Sequence, residues 1–371
     1  MLTSVNSISL VSTTAQVLWD LKNPIGITSL TLGVALPVIL SSSFMGFFSD
    51  AHEHYSWQPF ARSDKEAPGI FDDPQEVEQG APLKDQRGLF LFIFHRYVAF
   101  FRDTYTQMVT KYEAFLDWKG SPSETYIDPS IDQDFHWKEN SSGLYVFIHG
   151  IHGHPSCWNA YKKTIKTQDP HADVCLIKVK NGGDCSLEEA AEPIFRLLKN
   201  YSKKHHANPI ALIGTSRGAP ITASLELKMR KLAHGPKVYV GTIAGAHHGS
   251  LMMTLLKTIG CAHLWFSREV VNELSYKSNC ATKLLDQQKT GLIVDRKFRS
   301  YCTTEEFQIQ PCISSFPRLQ IEKTGSSKMV SEEHFYIHGS GHLSIVDRVQ
   351  PHILDDLFKW MGKNGSSASF K

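Results

Sequence analysis

The pattern of apolar and polar positions divides this chain near residue 120. Beyond that point, short apolar runs alternate with segments of helical periodicity. The apolar runs predict strands at 144–148, 174–179, 209–214 and 238–243. The segments between them predict helices at 157–167, 187–205 and 217–232. Continuous apolar strands joined by helices are typical of a mostly parallel sheet with helices on both faces, so the pattern predicts an α/β fold.

The first part of the chain carries an apolar segment of a different kind. Residues 23–49 contain no charged side chain, and their apolar centre is long enough to span a bilayer. We expect a single-pass membrane anchor here. An interfacial or export segment and a helix packed on protein are the alternatives. The flanking charges are few and mixed, so they predict no orientation.

A second apolar pattern lies in residues 87–120, where aromatic or apolar side chains recur at steps of three and four. These positions are Phe90, Phe94, Tyr97, Phe101, Tyr105, Met108, Tyr112 and Phe115. The spacing places them on one stripe of a long amphipathic helix. We expect this helix to pack on the folded domain. The alternative is a helix that lies at a membrane surface.

The domain organisation follows from these segments. The predicted parts are a flexible N terminus (1–22), the hydrophobic segment (23–49), a polar linker (50–86), the aromatic helix (87–120), an α/β domain (121–363) and a disordered tail (364–371). The composition, with 42% hydrophobic and 20% charged residues, is that of a globular protein. Lys+Arg number 39 against 37 Asp+Glu, so no basic field indicates a nucleic-acid partner. The seven cysteines lack zinc-site spacing, and no metal is expected.

The pentapeptide Gly214-Thr215-Ser216-Arg217-Gly218 has the form G-x-S-x-G. An apolar run enters it and a helical segment leaves it, which is the strand–turn–helix that the motif requires. Glycines are needed because the turn is tight and its backbone strained. The turn exposes the serine hydroxyl at a helix N-terminus, where the dipole favours developing negative charge. We therefore predict Ser216 as a nucleophile.

A second turn, at residues 149–153, reads His-Gly-Ile-His-Gly and follows the predicted strand at 144–148. With both turns in this order, the chain resembles the lipase and esterase branch of the α/β-hydrolase superfamily. In that family an H-G-x turn and the residue after the nucleophile supply the amides that bind the oxyanion. The resemblance implies the N–H groups of Ile151 and Arg217. His149 and His152 are expected to shape the turn.

The resemblance also implies a general base in a loop between the last strand and the last helix. Here 334–337 predicts the strand and 353–361 the helix. The sequence Gly-Ser-Gly before His342 is similar to the family's G-x-G-H loop, which implies His342, with His338 as the alternative. An imidazole titrates near neutrality and can therefore take and return the serine proton.

The acid of the family lies between nucleophile and base, after the next-to-last strand, where it orients the imidazole. Glu306 matches that position best. The alternatives are Glu305, Asp295, Glu322 and Glu332. The family usually has Asp here, so this chain departs from the pattern.

Two further features bear on the site. Residues 251–293 interrupt the strand–helix alternation, and the resemblance implies a cap that shapes an apolar acyl pocket. The side chain of Arg217 places a cation in the first turn of a helix, where it opposes the dipole. It is either solvated or directed at an anionic group of the substrate.

The resemblance covers 144–361 and implies a serine hydrolase that cleaves a carboxylic ester, lipid or acyl, through an acyl-enzyme. An acyltransferase or thioesterase with the same residues is one alternative. A membrane-tethered binding protein with a vestigial site is another. No organic cofactor is expected, and the partners predicted are an ester or lipid substrate and a membrane. The sequence predicts no oligomeric state.

Overall fold

The computed structural model describes residues 78–79, 89–120, 126–131, 135–232, 236–289, 295–303, 305–306, 308–309, 312–317, 331–337 and 339–363. The predicted segments 1–22 and 23–49, most of 50–86 and the tail 364–371 lie outside the described residues. Among the residues described, no helix combines the length and the apolar character needed to cross a bilayer.

The described residues form a seven-stranded sheet at the centre of the molecule. Its strands are β1 (Glu78–Gln79), β2 (Leu144–Ile148), β3 (Asp173–Ile177), β4 (Ile210–Thr215), β5 (Val238–Ile243), β6 (Arg296–Thr303) and β7 (Ser331–Ile337). They lie in the order β1-β7-β6-β5-β4-β2-β3, and all pairs are parallel except β1 with β7. The strand that follows β2 in the chain, β3, lies on one side of it, and the next strand, β4, lies on the other side. The order of strands therefore switches between β2 and β4, and such a switch point is where α/β sheets bind ligands.

Helices cover both faces of this sheet, as the pattern predicts. They are α1 (Leu89–Trp118), α2 (Asn159–Gln168), α3 (Leu187–Lys204), α4 (Gly218–Met229), α5 (Leu251–Thr258), α6 (Arg268–Leu274), α7 (Asn279–Lys289), α8 (Ile345–Arg348) and α9 (Gln350–Trp360). Alternate residues of β2 point to opposite faces. Val146 packs with α3 and α4, whereas Phe147 packs with α2 and α9.

Helix α1 packs on the domain as expected, through the face opposite the aromatic stripe. Arg96, Ala99 and Asp103 are buried on one side. At 100° per residue, the aromatic stripe lies on the other side. Its exposed members are Phe94, Phe101, Tyr105, Met108 and Tyr112. The helix therefore packs on the domain as expected, and the packing face is the one opposite the stripe, because Asp103 and Asp117 find partners in the domain.

The C-terminal end of α1 and the strand before the helix belong to the same folded unit as the sheet. Near its C-terminal end, Asp117 pairs with Lys178 and with His154. Two residues of the predicted linker 50–86 form β1, which pairs with the edge strand β7. The folded unit thus includes residues before 121, the predicted start of the α/β domain.

Candidate active site

The turn between β4 and α4 has the strained backbone that G-x-S-x-G requires. Ser216 has φ of 54°, in the left-handed region that side chains other than glycine rarely adopt. A Cβ added at Gly214 would lie 2.3 Å from the carbonyl oxygen of Gly218. A Cβ added at Gly218 would lie 2.4 Å from the carbonyl oxygen of Ile148. Both glycines are therefore needed because backbone approaches backbone on each side of the serine.

The turn after β2 lies directly against Ser216. A Cβ added at Gly150 would be 2.8 Å from the Cβ of the serine, so only glycine fits. His149 Nδ1 is 2.7 Å from the Gly150 carbonyl and donates to it, while its Nε2 accepts from the amide of Val179 at 3.2 Å. Burial lowers the pKa of His149 to about 4. With both ring nitrogens engaged, this histidine shapes the turn.

Two backbone amides lie next to the serine without a protein acceptor. Within the described part of the chain, the N–H groups of Ile151 and Arg217 donate to no protein group. One belongs to the turn that touches Ser216, and the other follows the serine in the chain. Free donors at these positions are what an oxyanion hole needs.

Glu306 and His342 are brought together by the loops that follow β6 and β7. His342 Nδ1 lies 2.8 Å from Glu306 Oε2, and both side chains are buried. The other carboxylate oxygen accepts from the amides of Gln308 and Ile309, at 2.7 and 3.0 Å. Because a carboxylate only accepts, Nδ1 carries the proton, and Nε2 keeps the lone pair that a general base uses.

The charges of this pair stabilise one another. Burial by itself raises the pKa of Glu306, but the charge and hydrogen bond of His342 and the two amides outweigh it, so the pKa is lowered. Burial by itself lowers the pKa of His342. The charge and hydrogen bond of Glu306, with the charge of Asp103, outweigh that effect and raise the pKa. The site therefore favours the ionised acid with the imidazolium.

The neighbouring Glu305 has a different role from Glu306. One of its oxygens, Oε2, accepts from the amide of Gly339 at 2.6 Å. It thus holds the backbone of the histidine loop, whereas Glu306 contacts the imidazole.

The remaining alternatives for the acid and for the base lie elsewhere. Asp295 precedes β6, at the end of the strand opposite to Glu306. Glu332 pairs with His334 at 2.7 Å. Glu322 and His338 lie outside the described residues. In the residues described, the Ser216 hydroxyl has no hydrogen bond to His342; such bonds are often long in unliganded sites and tighten when substrate binds.

Both predicted environments of the Arg217 side chain, solvent and an anionic group of the substrate, are wrong. The side chain is only 1% exposed, so it is not solvated. Its guanidinium donates to the carbonyls of Gly183 and Cys185, at 2.9 and 2.6 Å, and to Glu273 at 2.6 Å. These bonds engage it with the loop before α3 and with α6, so it is not directed at a substrate.

Residues 251–293, predicted as a cap, contain α5, α6 and α7 between β5 and β6. Five of their residues form an apolar cluster with Ala246 and Ile309, and Ile151 packs against it; the five are Met253, Ala262, Val270, Val271 and Leu274. Phe266 stacks on His152 with ring centroids 5.4 Å apart. The insertion therefore lies against the turn that carries one of the free amides.

Asp103 is a residue of the site region that the sequence patterns did not indicate. It accepts hydrogen bonds from the two residues that follow His342. The available signal was the two polar positions Arg96 and Asp103, which lie seven residues apart and so share the helix face opposite the aromatic stripe. Such positions are usually solvated.

For the described residues, no group of three or more His, Cys, Asp and Glu is arranged to hold a metal ion. No protein-family model and no curated protein matches the chain.

Solved structures give remote similarities. Phospholipase PlaB from Legionella pneumophila, in complex with thio-NAD, is 14% identical over 43% of this chain and 37% of that protein, with a TM-score of 0.35. The propeptide form of Bacillus licheniformis lipase BlEst2 is 17% identical over 46% and 37%, with a TM-score of 0.35. A lipase-esterase related protein from Clostridium acetobutylicum is 14% identical over 60% and 96%, with a TM-score of 0.40. The chain thus spans well under half of the first two proteins.

The fold follows from the strand order and turn geometry of the chain itself. A serine stands on a strained turn between β4 and α4, beside the switch point of a parallel sheet. A carboxylate follows β6, and a histidine follows β7, in the order serine, acid, histidine along the chain. This is the α/β-hydrolase fold, and the predicted resemblance is confirmed at that level.

Proposed function

We propose that this protein is a serine hydrolase that cleaves a carboxylic ester through an acyl-enzyme. The observation that carries the proposal is the buried contact of 2.8 Å between His342 Nδ1 and Glu306 Oε2. That contact leaves Nε2 as a base, in a fold whose strained turn presents Ser216. Arrangements of this kind activate a serine hydroxyl.

In the proposed mechanism, His342 Nε2 takes the proton of the Ser216 hydroxyl as the oxygen attacks the ester carbonyl. The free amides of Ile151 and Arg217 stabilise the oxyanion. The imidazolium then gives its proton to the leaving alcohol as the C–O bond breaks. Water repeats the sequence on the acyl-enzyme and releases the acid. Throughout, Glu306 orients the ring and stabilises its positive charge.

The proposed substrate class is a lipid or other acyl ester. Support comes from the apolar cluster of the insertion, against which Ile151 packs. An acyl chain that enters beside this residue would meet apolar side chains. An acyltransferase with the same residues would pass the acyl group to an alcohol in place of water, and a thioesterase would take it from a thioester. Product analysis with and without added alcohol, on matched ester and thioester substrates, separates these activities.

We also propose membrane association through residues 23–49. The exposed stripe of α1 supports it, since Phe101 and Tyr105 are 54% and 67% exposed and would suit an interface. The full chain is expected to sediment with membranes and to resist carbonate extraction. Recovery of the full chain entirely in the soluble fraction would refute the anchor.

Ser216→Ala tests the hydrolase proposal. We expect it to abolish both p-nitrophenyl ester hydrolysis and labelling by a fluorophosphonate probe, because only an activated serine reacts. The circular dichroism spectrum should not change. Ser202→Ala is a matched control, since Ser202 is also buried and its hydroxyl has no partner in the described structure. Activity near wild type in Ser216→Ala would exclude this nucleophile, and an unlabelled wild type would favour a vestigial site.

A further inference from the structure

Helix α1 contacts the loop that carries His342. Asp103 Oδ1 accepts from the amides of Leu343 and Ser344, at 3.0 and 2.9 Å, and from the Ser344 hydroxyl at 2.9 Å. One carboxylate oxygen thus holds both residues that follow the histidine.

The residue before His342 lies against the same carboxylate. A Cβ added at Gly341 would be 2.4 Å from Asp103 Cγ, so a side chain at this position would displace α1. The Gly341 amide donates to the Ser344 hydroxyl at 2.9 Å, and that hydroxyl donates to Asp103. The backbone on either side of the histidine is therefore fitted to this one carboxylate.

The start of the loop is held from two directions. Arg102, also on α1, donates to the Gly339 carbonyl. From the sheet, Glu305 accepts from the Gly339 amide, and Thr303 donates to the Ser340 carbonyl at 2.5 Å. The loop thus lies between the end of β6 and α1.

Asp103 also acts on His342 through its charge. Among the residues that the structure describes, the charged groups that face the imidazole are Glu306, from the segment after β6, and Asp103, from α1. Burial raises the pKa of Asp103 to about 6, against the lowering effects of the Ser344 hydrogen bonds and the His342 charge. The second oxygen, Oδ2, is buried and has no hydrogen-bond partner within the described structure. A carboxylate kept in this position favours the positively charged imidazole.

We propose that Asp103 is a positioning residue for His342, and that α1 is consequently part of the active site. The proposal rests on the proposed function, in which His342 is the base. Asp103 fixes the backbone on both sides of the ring, and its charge stabilises the imidazolium that forms when the serine proton is taken. Glu306 orients the ring from one side, and Asp103 holds the loop from the other.

Two substitutions separate the geometric effect from the charge. Asp103→Asn keeps an oxygen that can accept from the amides of Leu343 and Ser344 but removes the charge. Asp103→Ala removes both. Asp117→Asn is the matched control, because Asp117 also ties α1 to the domain, through Lys178 and His154.

The measurement is kcat/KM for p-nitrophenyl butyrate against pH, on the full chain. We expect Asp103→Ala to lower it roughly 10- to 100-fold, the range typical of the outer partners that orient metal-binding side chains, and Asp103→Asn to lower it less. His342 must be neutral to act as base. Loss of the nearby negative charge lowers its pKa, so Asp103→Asn should move the acid limb of the profile to lower pH. Asp117→Asn should leave that limb in place.

The outcomes are distinguishable from a failure of the proposed function. If the wild type neither hydrolyses the ester nor reacts with a fluorophosphonate, the hydrolase proposal fails. If the wild type is active and Asp103→Asn keeps both its rate and its acid limb, the positioning role is overturned. If circular dichroism shows that Asp103→Ala does not fold, the acid limb of the Asp103→Asn profile tests the positioning role by itself.

Discussion

The two halves of the candidate site are built in different ways. The nucleophile half consists of two tight turns, after β2 and β4, in which Gly150 touches Ser216 and backbone approaches backbone. The histidine half is assembled by side chains from distant parts of the chain. Glu306 is 36 residues from His342, and Asp103 is 240 residues from Leu343.

This difference has a consequence for substitutions. In the nucleophile half, steric exclusion leaves no room for a side chain at Gly214 or Gly218, so changes there disturb the backbone itself. In the histidine half, hydrogen bonds and charges hold an already folded loop. Changes there should reduce the reaction while the fold persists, and the substitutions below test that contrast.

The largest expected effect in the histidine half is that of His342→Ala. Because nucleophile and base act as a unit, it should lower kcat by roughly 10⁶-fold, as much as Ser216→Ala, and the double variant should be no worse than either. Ester hydrolysis by the three variants checks this, with circular dichroism to verify the fold. Additive losses would show that the two residues act independently.

A smaller loss is expected from Glu306→Gln. The amide would favour the wrong tautomer of His342 and would not stabilise its cation, at a cost of roughly 10⁴-fold in kcat. Glu305→Gln is the matched comparison, since Glu305 holds the Gly339 amide and not the ring. It should cost much less. A larger loss from Glu305→Gln would place the acid one residue earlier, and no loss from either would place it elsewhere.

The smallest effect concerns the pH dependence of stability, where the halves should respond in opposite directions. The folded-state pKa of His149 is about 4, below its ordinary 6.5, so its contribution is present above pH 6.5 and is lost as pH falls. The folded-state pKa of His342 is raised, so its contribution is fully present below pH 6.5 and is lost as pH rises above 6.5 and through the folded-state pKa.

Chemical denaturation between pH 5 and 8 measures this response. Relative to wild type, His149→Asn should flatten the acid side of the stability profile by about 1.4 kcal/mol per pH unit at most. His342→Gln should flatten the other side. Identical slopes in all three proteins would mean that the pKa of neither histidine differs between the folded and the unfolded state.

The sequence by itself determined most strands of the sheet and the two tight turns around Ser216. The bounds predicted at 144–148 and 238–243 agree with β2 and β5, and the other compared strands differ by a few residues. These features depend on local rules: apolar runs form buried strands, and tight turns need glycine. Such features can be recognised within a short segment of the sequence.

Only the tertiary structure decided which acid meets His342. Glu305 and Glu306 are adjacent and chemically alike, and the paths of the loops after β6 and β7 determine which of them reaches the ring. The environment of Arg217 was decided in the same way, because its acceptors come from the loop before α3 and from α6. No local pattern encodes such long-range contacts.

The orientation of α1 is the clearest case. Amphipathic spacing predicted the helix, but the rule that an apolar stripe faces the core gave the wrong side. Asp103 and Arg102 have partners in the histidine loop, and Asp117 has partners at Lys178 and His154. The sequence thus determined that a two-faced helix forms here. Which face packs was decided by hydrogen-bonding partners of Asp103, at the centre of the helix, that lie more than 200 residues away in the chain. Buried polar groups are stable only where they have hydrogen-bonding partners.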